Sequence, residues 1–267
     1  MVDDCFPFNL MEISVSQQTS NIIEQKPYST EILEIVKKKS YEDELGRAYT
    51  VELKGDRMCV VHEPSSIDKS LDKVYPCVFF FHGLGNWAWT CALKKTIWRE
   101  VSTKNKFYVV FAQGTDCGSL IDKSNGFNVK YPEEDFEYLK GLISYIKNNY
   151  QIDSNRLYYA GYSNGAIFSS LVAQEFGSDI FAAISNSMGG FGKESKEVKQ
   201  YKIFKPLPIY IITGDNDDYK ESCVFTKEFF EKNGFIVKID IIPNKSHSYP
   251  KGKEKEIWDF FNNFTKL

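Results

Sequence analysis

Short apolar runs alternate with longer segments of helical periodicity from about residue 48 to the end of the chain. The first two runs, "YTVEL" and "RMCVVHEP", predict an antiparallel pair of strands. Six later runs predict further strands: "YPCVFFFHG", "KFYVVFAQG", "RLYYAG", "IFAAISNSMGG", "LPIYIITG" and "FIVKIDIIP". Four segments predict helices: "PEEDFEYLKGLISYIKNNY", "NGAIFSSLVAQEF", "ESCVFTKEFFEKNGF" and "KEKEIWDFFNNF". This alternation predicts an α/β fold, with a mostly parallel central sheet and helices on both of its faces.

The domain organisation follows from the extent of this pattern. Residues 46–267 are predicted to form a single domain, and residues 1–45, which are polar and mixed, an N-terminal extension of unknown role. The connection over residues 191–208 is too short for a large cap domain. Sites in parallel sheets form at the carboxyl ends of the strands, so chemistry is expected where the predicted strands end in glycine.

Composition and charge exclude several classes of function. The 33 basic and 36 acidic residues give a formal net charge of −3, so no basic field for nucleic acid or an anionic membrane is expected. No run of about 18 apolar residues occurs, so no membrane span is expected. The start, "MVDDCFPFNL", has aspartates where a signal peptide carries lysine or arginine. This favours a cytoplasmic location, with a secreted mature form as the alternative, and the oligomeric state stays open.

Six cysteines are scattered along the chain without a C-x-x-C pair, which argues against a zinc site or a thioredoxin-like motif. Cys77 lies within an apolar run and is predicted to be a buried thiol. The spacing of the cysteines requires no disulfide, and it leaves their disulfide state open.

The strongest chemical signal is the segment "LYYAGYSNGAIFSSLV", in which Ser163 lies between Gly161 and Gly165. A G-x-S-x-G pattern between a strand and a helix is typical of a nucleophile elbow, a strained turn that exposes the serine hydroxyl above a sheet. Small neighbours allow backbone angles that bulky residues resist. Ser163 is therefore the candidate nucleophile; the alternative is an ordinary glycine-containing turn.

A serine hydroxyl becomes a good nucleophile when a base takes its proton, and imidazole is the usual base. The chain has three histidines, at positions 62, 82 and 247. Triads on this kind of sheet follow the order serine, acid, histidine, and only His247 comes after Ser163. His247 is therefore the candidate base, and its alternative is a solvated loop histidine.

The acid is expected after a strand between Ser163 and His247, where "IYIITGDNDDYK" offers Asp215, Asp217 and Asp218. Asp217 is favoured because it stands three residues past the glycine that ends the predicted strand. Its task would be to hold the imidazole tautomer and to stabilise the imidazolium. The alternative for these aspartates is capping of the following helix.

Two backbone N–H groups aimed at the developing negative charge would complete the site. One is expected from Asn164, which follows the nucleophile at the start of a helix. The other is expected from Leu84 in the glycine-rich turn "HGLG". Trp87 and Trp89 follow this turn and, with Tyr162, are the candidate substrate-binding residues. The alternative for the two tryptophans is packing against the edge of the sheet.

These motifs, in this order, resemble the esterase family that joins polyhydroxybutyrate depolymerases and feruloyl esterases within the α/β-hydrolase superfamily. The likeness covers roughly residues 57–265 and rests on "HGLG", "FAQGTD", "IDSNRLYYAGYSNGA", "GDND" and "SHSYP", where the family often has histidine-x-tryptophan-proline. The resemblance implies an α/β-hydrolase fold for the main domain. By position it implies Ser163 as nucleophile, Asp217 as acid and His247 as base.

The sequence therefore predicts a serine carboxylic-ester hydrolase that works through a Ser-His-Asp triad and an acyl-enzyme intermediate, with no metal or organic cofactor. Feruloyl-type or hydroxyalkanoate-type esters are expected, small or polymeric, while the acyl and alcohol groups stay open. A peptidase or acyltransferase on the same scaffold is an alternative, because it would share the triad chemistry. A second alternative is a non-catalytic binding protein that kept the fold.

Overall fold

The computed structural model describes residues 39–53, 57–70, 72–116, 125–191 and 205–266. Its strands are β1 Ser40–Asp43, β2 Gly46–Leu53, β3 Arg57–Pro64, β4 Tyr75–Phe81, β5 Tyr108–Ala112, β6 Thr115–Asp116, β7 Asn125–Gly126, β8 Ile152–Tyr162, β9 Ala183–Ser187, β10 Ile209–Gly214 and β11 Val237–Ile242. Its α-helices are α1 Ala88–Thr90, α2 Trp98–Asn105, α3 Glu133–Asn149, α4 Asn164–Glu175, α5 Lys220–Lys232 and α6 Glu254–Phe261. A π-helical turn spans Cys91–Lys95, and a 3-10 turn spans Gly177–Asp179.

Within the described ranges, nine strands form one sheet in the order β1-β2-β3-β5-β4-β8-β9-β10-β11. The first three strands and β5 pair antiparallel, which includes the predicted pair β2–β3. The remaining pairs of this sheet, from β5 through β4, β8, β9 and β10 to β11, are parallel. Strands β6 and β7 form a separate antiparallel pair. The predicted mostly parallel α/β sheet is thus confirmed, and strands β4, β8, β10 and β11 all end at the same edge.

Both faces of the sheet are covered by helices, as the alternation of strands and helices predicted. Successive side chains of a strand point to opposite faces, so β4 supplies both cores. Phe79 and Phe81 contact the core beneath α3, α4 and α5. Val78 and Phe80 contact the core beneath α2 and α6. The seven residues of β4 are all buried, which explains why its sequence is a continuous apolar run.

The described residues belong to one compact unit, residues 32–267, and no large cap domain occurs among them. Residues 192–204 of the short connection lie outside the described residues. So do residues 1–38 of the predicted extension, and the division into residues 1–45 and 46–267 stays a prediction. In the described part of the chain, no helix is long and apolar enough to cross a bilayer.

The described cysteines are reduced and buried, which confirms the prediction for Cys77. They are Cys59, Cys77, Cys91 and Cys223. Cys5 and Cys117 lie outside the described residues. The described ranges contain no cluster of three or more metal-ligating side chains.

Candidate active site

Ser163 stands on a sharp turn between strand β8 and helix α4. Its backbone angles, φ 53° and ψ −115°, fall where non-glycine residues rarely lie. Hydrogen bonds hold this conformation: the Ser163 N–H donates to the Ser187 carbonyl at 2.9 Å, and the Ser163 carbonyl accepts from the N–H groups of Ala166 and Ile167. This is the strained strand-to-helix turn expected of a nucleophile elbow.

The glycines on either side of Ser163 let helix α4 begin directly against two strands. A Cβ atom on Gly161 would lie 2.3 Å from the Gly165 carbonyl oxygen. A Cβ on Gly165 would lie 2.2 Å from the Phe81 carbonyl oxygen, at the end of β4. Side chains at either position would therefore separate the helix from the strands, which explains the G-x-S-x-G spacing in physical terms.

The three residues predicted as a triad form one hydrogen-bonded chain. The Ser163 Oγ lies 2.9 Å from the His247 Nε2, and the His247 Nδ1 lies 2.9 Å from the Asp217 Oδ1. Asp217 follows β10 and His247 follows β11, so adjacent parallel strands deliver them to the same edge. The Asp217 side chain is fully buried, whereas His247 is 31% exposed. Asp215 and Asp218, the other two candidates for the acid, are exposed.

Both predicted oxyanion donors lie beside Ser163. A Cβ on Gly83 would lie 3.0 Å from the Ser163 Cβ, so the turn that carries Leu84 passes directly over the serine. Asn164 is the first residue of α4, and its side chain exchanges two hydrogen bonds with the Phe127 backbone. Neither the Leu84 N–H nor the Asn164 N–H donates to an acceptor among the described residues. Two unused donors therefore lie close to the candidate nucleophile.

Aromatic rings surround the imidazole of His247. Tyr162, a predicted binding residue, stacks on it with ring centroids 5.8 Å apart, and burial raises the pKa of this phenol. Tyr219 packs on the imidazole at 5.0 Å, and its N–H donates to the Asp217 Oδ1 at 2.9 Å. Sequence reasoning missed Tyr219. Its only sequence signal is its place two residues after the candidate acid.

The two candidate tryptophans differ in exposure. Trp87 is 54% exposed, directly after the turn that carries Leu84. Trp89 packs partly against the core beneath α2 and α6, with the Lys39 ammonium 4.6 Å from its ring. The alternative considered for both tryptophans was packing against the edge of the sheet. The partial burial of Trp89 fits that alternative better than the exposure of Trp87 does. A role of either in substrate binding stays a prediction.

A viral relative and the fold place the chain in a family. No protein-family model matches it. An uncharacterized hydrolase of Acanthamoeba polyphaga mimivirus is 33% identical over 247 residues, covering 79% of this chain and 77% of the viral protein. The chain belongs to the α/β-hydrolase superfamily. Like the viral relative, the chain is a hydrolase, and thus an enzyme.

Two further known proteins are similar to parts of this hydrolase. A bifunctional acetylxylan esterase/xylanase of Neocallimastix patriciarum is 22% identical over 204 residues, 64% of this chain and 28% of that protein. A poly(3-hydroxyalkanoate) depolymerase of Paucimonas lemoignei is 25% identical over 139 residues, 51% of this chain and 32% of that protein. This chain thus matches less than a third of each of these two proteins.

Solved structures show the same fold. An S-formylglutathione hydrolase from Agrobacterium tumefaciens superposes with a TM-score of 0.65 at 13% identity, covering 85% of this chain and 98% of that one. A ferulic acid esterase gives a TM-score of 0.62 at 14% identity, covering 86% and 97%. The sheet order and these superpositions confirm the predicted α/β-hydrolase fold.

Proposed function

We propose that this hydrolase is a serine esterase, which cleaves carboxylic esters through Ser163, His247 and Asp217 with an acyl-enzyme intermediate. The observation that carries the proposal is the hydrogen-bonded chain that begins at a strained elbow serine. The Ser163 Oγ is 2.9 Å from His247, and His247 is 2.9 Å from Asp217. Both contacts lie within the range for a nucleophile–base and a base–acid hydrogen bond.

In the first half of the reaction, the Ser163 Oγ attacks the ester carbonyl carbon while the His247 Nε2 takes the hydroxyl proton. The carbonyl oxygen becomes an oxyanion, which accepts hydrogen bonds from the N–H groups of Leu84 and Asn164. Asp217 stabilises the imidazolium through its contact with Nδ1. His247 then gives its proton to the leaving alcohol as the C–O bond breaks, and the acyl group stays on Ser163.

In the second half, water attacks the acyl carbon while the His247 Nε2 takes a proton from it. The same two N–H groups hold the second oxyanion. When this intermediate collapses, the bond to Ser163 breaks, His247 returns the proton to the serine oxygen, and the acid leaves. The balanced reaction is an ester plus water giving a carboxylic acid plus an alcohol.

Feruloyl-type or hydroxyalkanoate-type esters are the proposed substrates. Two half-exposed aromatic side chains support this choice: Trp87 comes shortly after Leu84 in the chain, and Tyr219 packs against His247. Such rings suit an aromatic acyl group or an apolar ester chain. Two proteins that are similar to parts of this chain, an acetylxylan esterase and a poly(3-hydroxyalkanoate) depolymerase, support an ester carried by a polymer.

The test is hydrolysis of an ester panel: nitrophenyl esters of increasing length, methyl ferulate and a hydroxybutyrate oligomer, with a peptide substrate for comparison. Wild type is expected to cleave at least one ester, and Ser163→Ala to lose about three or more decades of rate. Ser154→Ala, near the opposite end of β8, is the matched control and should keep wild-type rates. A fluorophosphonate should label Ser163. Cleavage of the peptide alone, or no cleavage and no labelling, would contradict the proposal.

A further inference from the structure

His82 is a buried histidine with no part in the proton transfers described above. It follows β4 and is 1% exposed. The Gly114 N–H donates to its Nε2 at 3.0 Å, so the lone pair is on Nε2 and the ring proton on Nδ1. The Nδ1–H therefore donates to the Gly83 carbonyl, at 2.8 Å. Burial lowers the pKa of His82 to about 4, which keeps the ring uncharged at neutral pH.

The Gly83 carbonyl is the other half of the peptide group that carries the Leu84 N–H. Besides His82, it accepts from the Asn86 side-chain amide at 3.1 Å and from the Asn86 backbone N–H at 3.3 Å. In a trans peptide the carbonyl and the following N–H point in opposite directions. Donors that fix the direction of the Gly83 carbonyl therefore fix the direction of the Leu84 N–H as well.

The same histidine ties this turn to the end of the neighbouring strand β5. The Gln113 Nε2 lies 3.2 Å from the His82 Nε2 and donates to the Gly114 carbonyl at 2.8 Å. The Gln113 Oε1 accepts from the Ala88 N–H at 2.8 Å, just beyond the turn. Hydrogen bonds from two buried side chains, His82 after β4 and Gln113 after β5, thus hold the turn at both of its ends.

We propose that His82 is a positioning residue that aims the Leu84 N–H at the oxyanion by holding the Gly83 carbonyl through Nδ1–H. This inference rests on the proposed esterase function. Removing one oxyanion donor costs about 10²- to 10³-fold in kcat in serine hydrolases, and a misdirected N–H approaches the same limit. The loss falls on kcat rather than KM, because the charge develops only in the transition state.

Two substitutions of His82 distinguish the role of its Nδ1 from that of its Nε2. The amide nitrogen of Asn lies near the position of Nδ1, so His82→Asn keeps a donor for the Gly83 carbonyl. The amide group of Gln lies near Nε2, so His82→Gln keeps the contact with Gly114 and loses the donor to Gly83. His62→Gln is the matched control, because His62 is also fully buried and bonds Arg99 and Thr103.

The experiment measures kcat and KM on the best ester, and the inhibition constant of a trifluoromethyl ketone, which binds as an oxyanion. We expect His82→Gln to lose about 10²-fold or more in kcat with KM within about threefold, and to bind the ketone correspondingly more weakly. The kcat of His82→Asn should be at least about tenfold higher than that of His82→Gln. His62→Gln should keep the wild-type kcat.

Three results would overturn the inference while the esterase function stands. The first is equal kcat for the Asn and Gln variants, the second is a loss confined to KM, and the third is an equal loss in the His62→Gln control. If wild type cleaves no ester and is not labelled by a fluorophosphonate, the proposed function fails and the inference fails with it.

Discussion

Replacing Gly165 with alanine tests the packing that presents Ser163, the proposed nucleophile. The new Cβ would lie 2.2 Å from the Phe81 carbonyl oxygen, a distance that must grow by about 1 Å before the contact is tolerable. Neither atom is at the end of a flexible side chain, so helix α4 must move away from β4. Overpacking of this kind costs about 1–3 kcal/mol, or roughly 2–10 °C in Tm for a chain of this size.

The movement also separates the two halves of the site. Ser163 and Asn164 are at the start of α4, whereas Leu84 follows β4, so a shift of about 1 Å changes the distance between the proposed nucleophile and one proposed oxyanion donor. A misplacement of this size costs about 10²-fold in rate. We therefore expect Gly165→Ala to lower kcat/KM about 100-fold and to lower Tm in the same preparation.

Thermal unfolding by circular dichroism and ester hydrolysis on the same samples would measure both effects. Gly141→Ala is the matched control: Gly141 lies within helix α3, and a Cβ there meets no atom within 4 Å. That substitution should stabilise the protein by about 0.5–1 kcal/mol and leave activity unchanged. Wild-type Tm and kcat/KM in Gly165→Ala would refute the close contact between α4 and β4.

The other predictions concern a buried histidine and the tyrosine beside the triad. Burial, followed by the Arg99 charge, lowers the pKa of His62 to about 3. Between about pH 6.5 and pH 3, His62 is therefore protonated in the unfolded chain but stays neutral in the folded protein. The free energy of unfolding should thus fall by up to about 1.4 kcal/mol for each unit by which the pH is lowered through this range. Urea titrations should show a shallower pH slope for His62→Gln; an unchanged slope would contradict the assignment. Tyr219→Ala should lower kcat about tenfold by removing the ring that packs on His247, while Tyr219→Phe should retain the wild-type kcat and KM; equal losses in both variants would implicate the hydroxyl group instead.

The α/β fold was predictable from the sequence because the spacing of apolar residues within each segment indicates whether it is a strand or a helix and how many of its faces are buried. The β4 run is apolar at every position because both of its faces are covered, and α3 begins with three acidic residues that favour a helix N-terminus. The elbow was recognisable because Gly161 and Gly165 are required by backbone contacts whatever side chains surround them. Chain order then selected His247 among three histidines.

Tertiary structure decided everything that depends on which segments meet. Spacing in the sequence favoured Asp217 among three neighbouring aspartates, and only the structure shows that Asp217 is buried against His247 while Asp215 and Asp218 stay exposed. Tyr219 carried no motif of its own, and the "HGLG" motif that begins with His82 gave no role to that histidine. Their contacts join residues delivered by separate strands and loops, and such proximity arises only from the register of the sheet and from the packing of the segments that follow its strands.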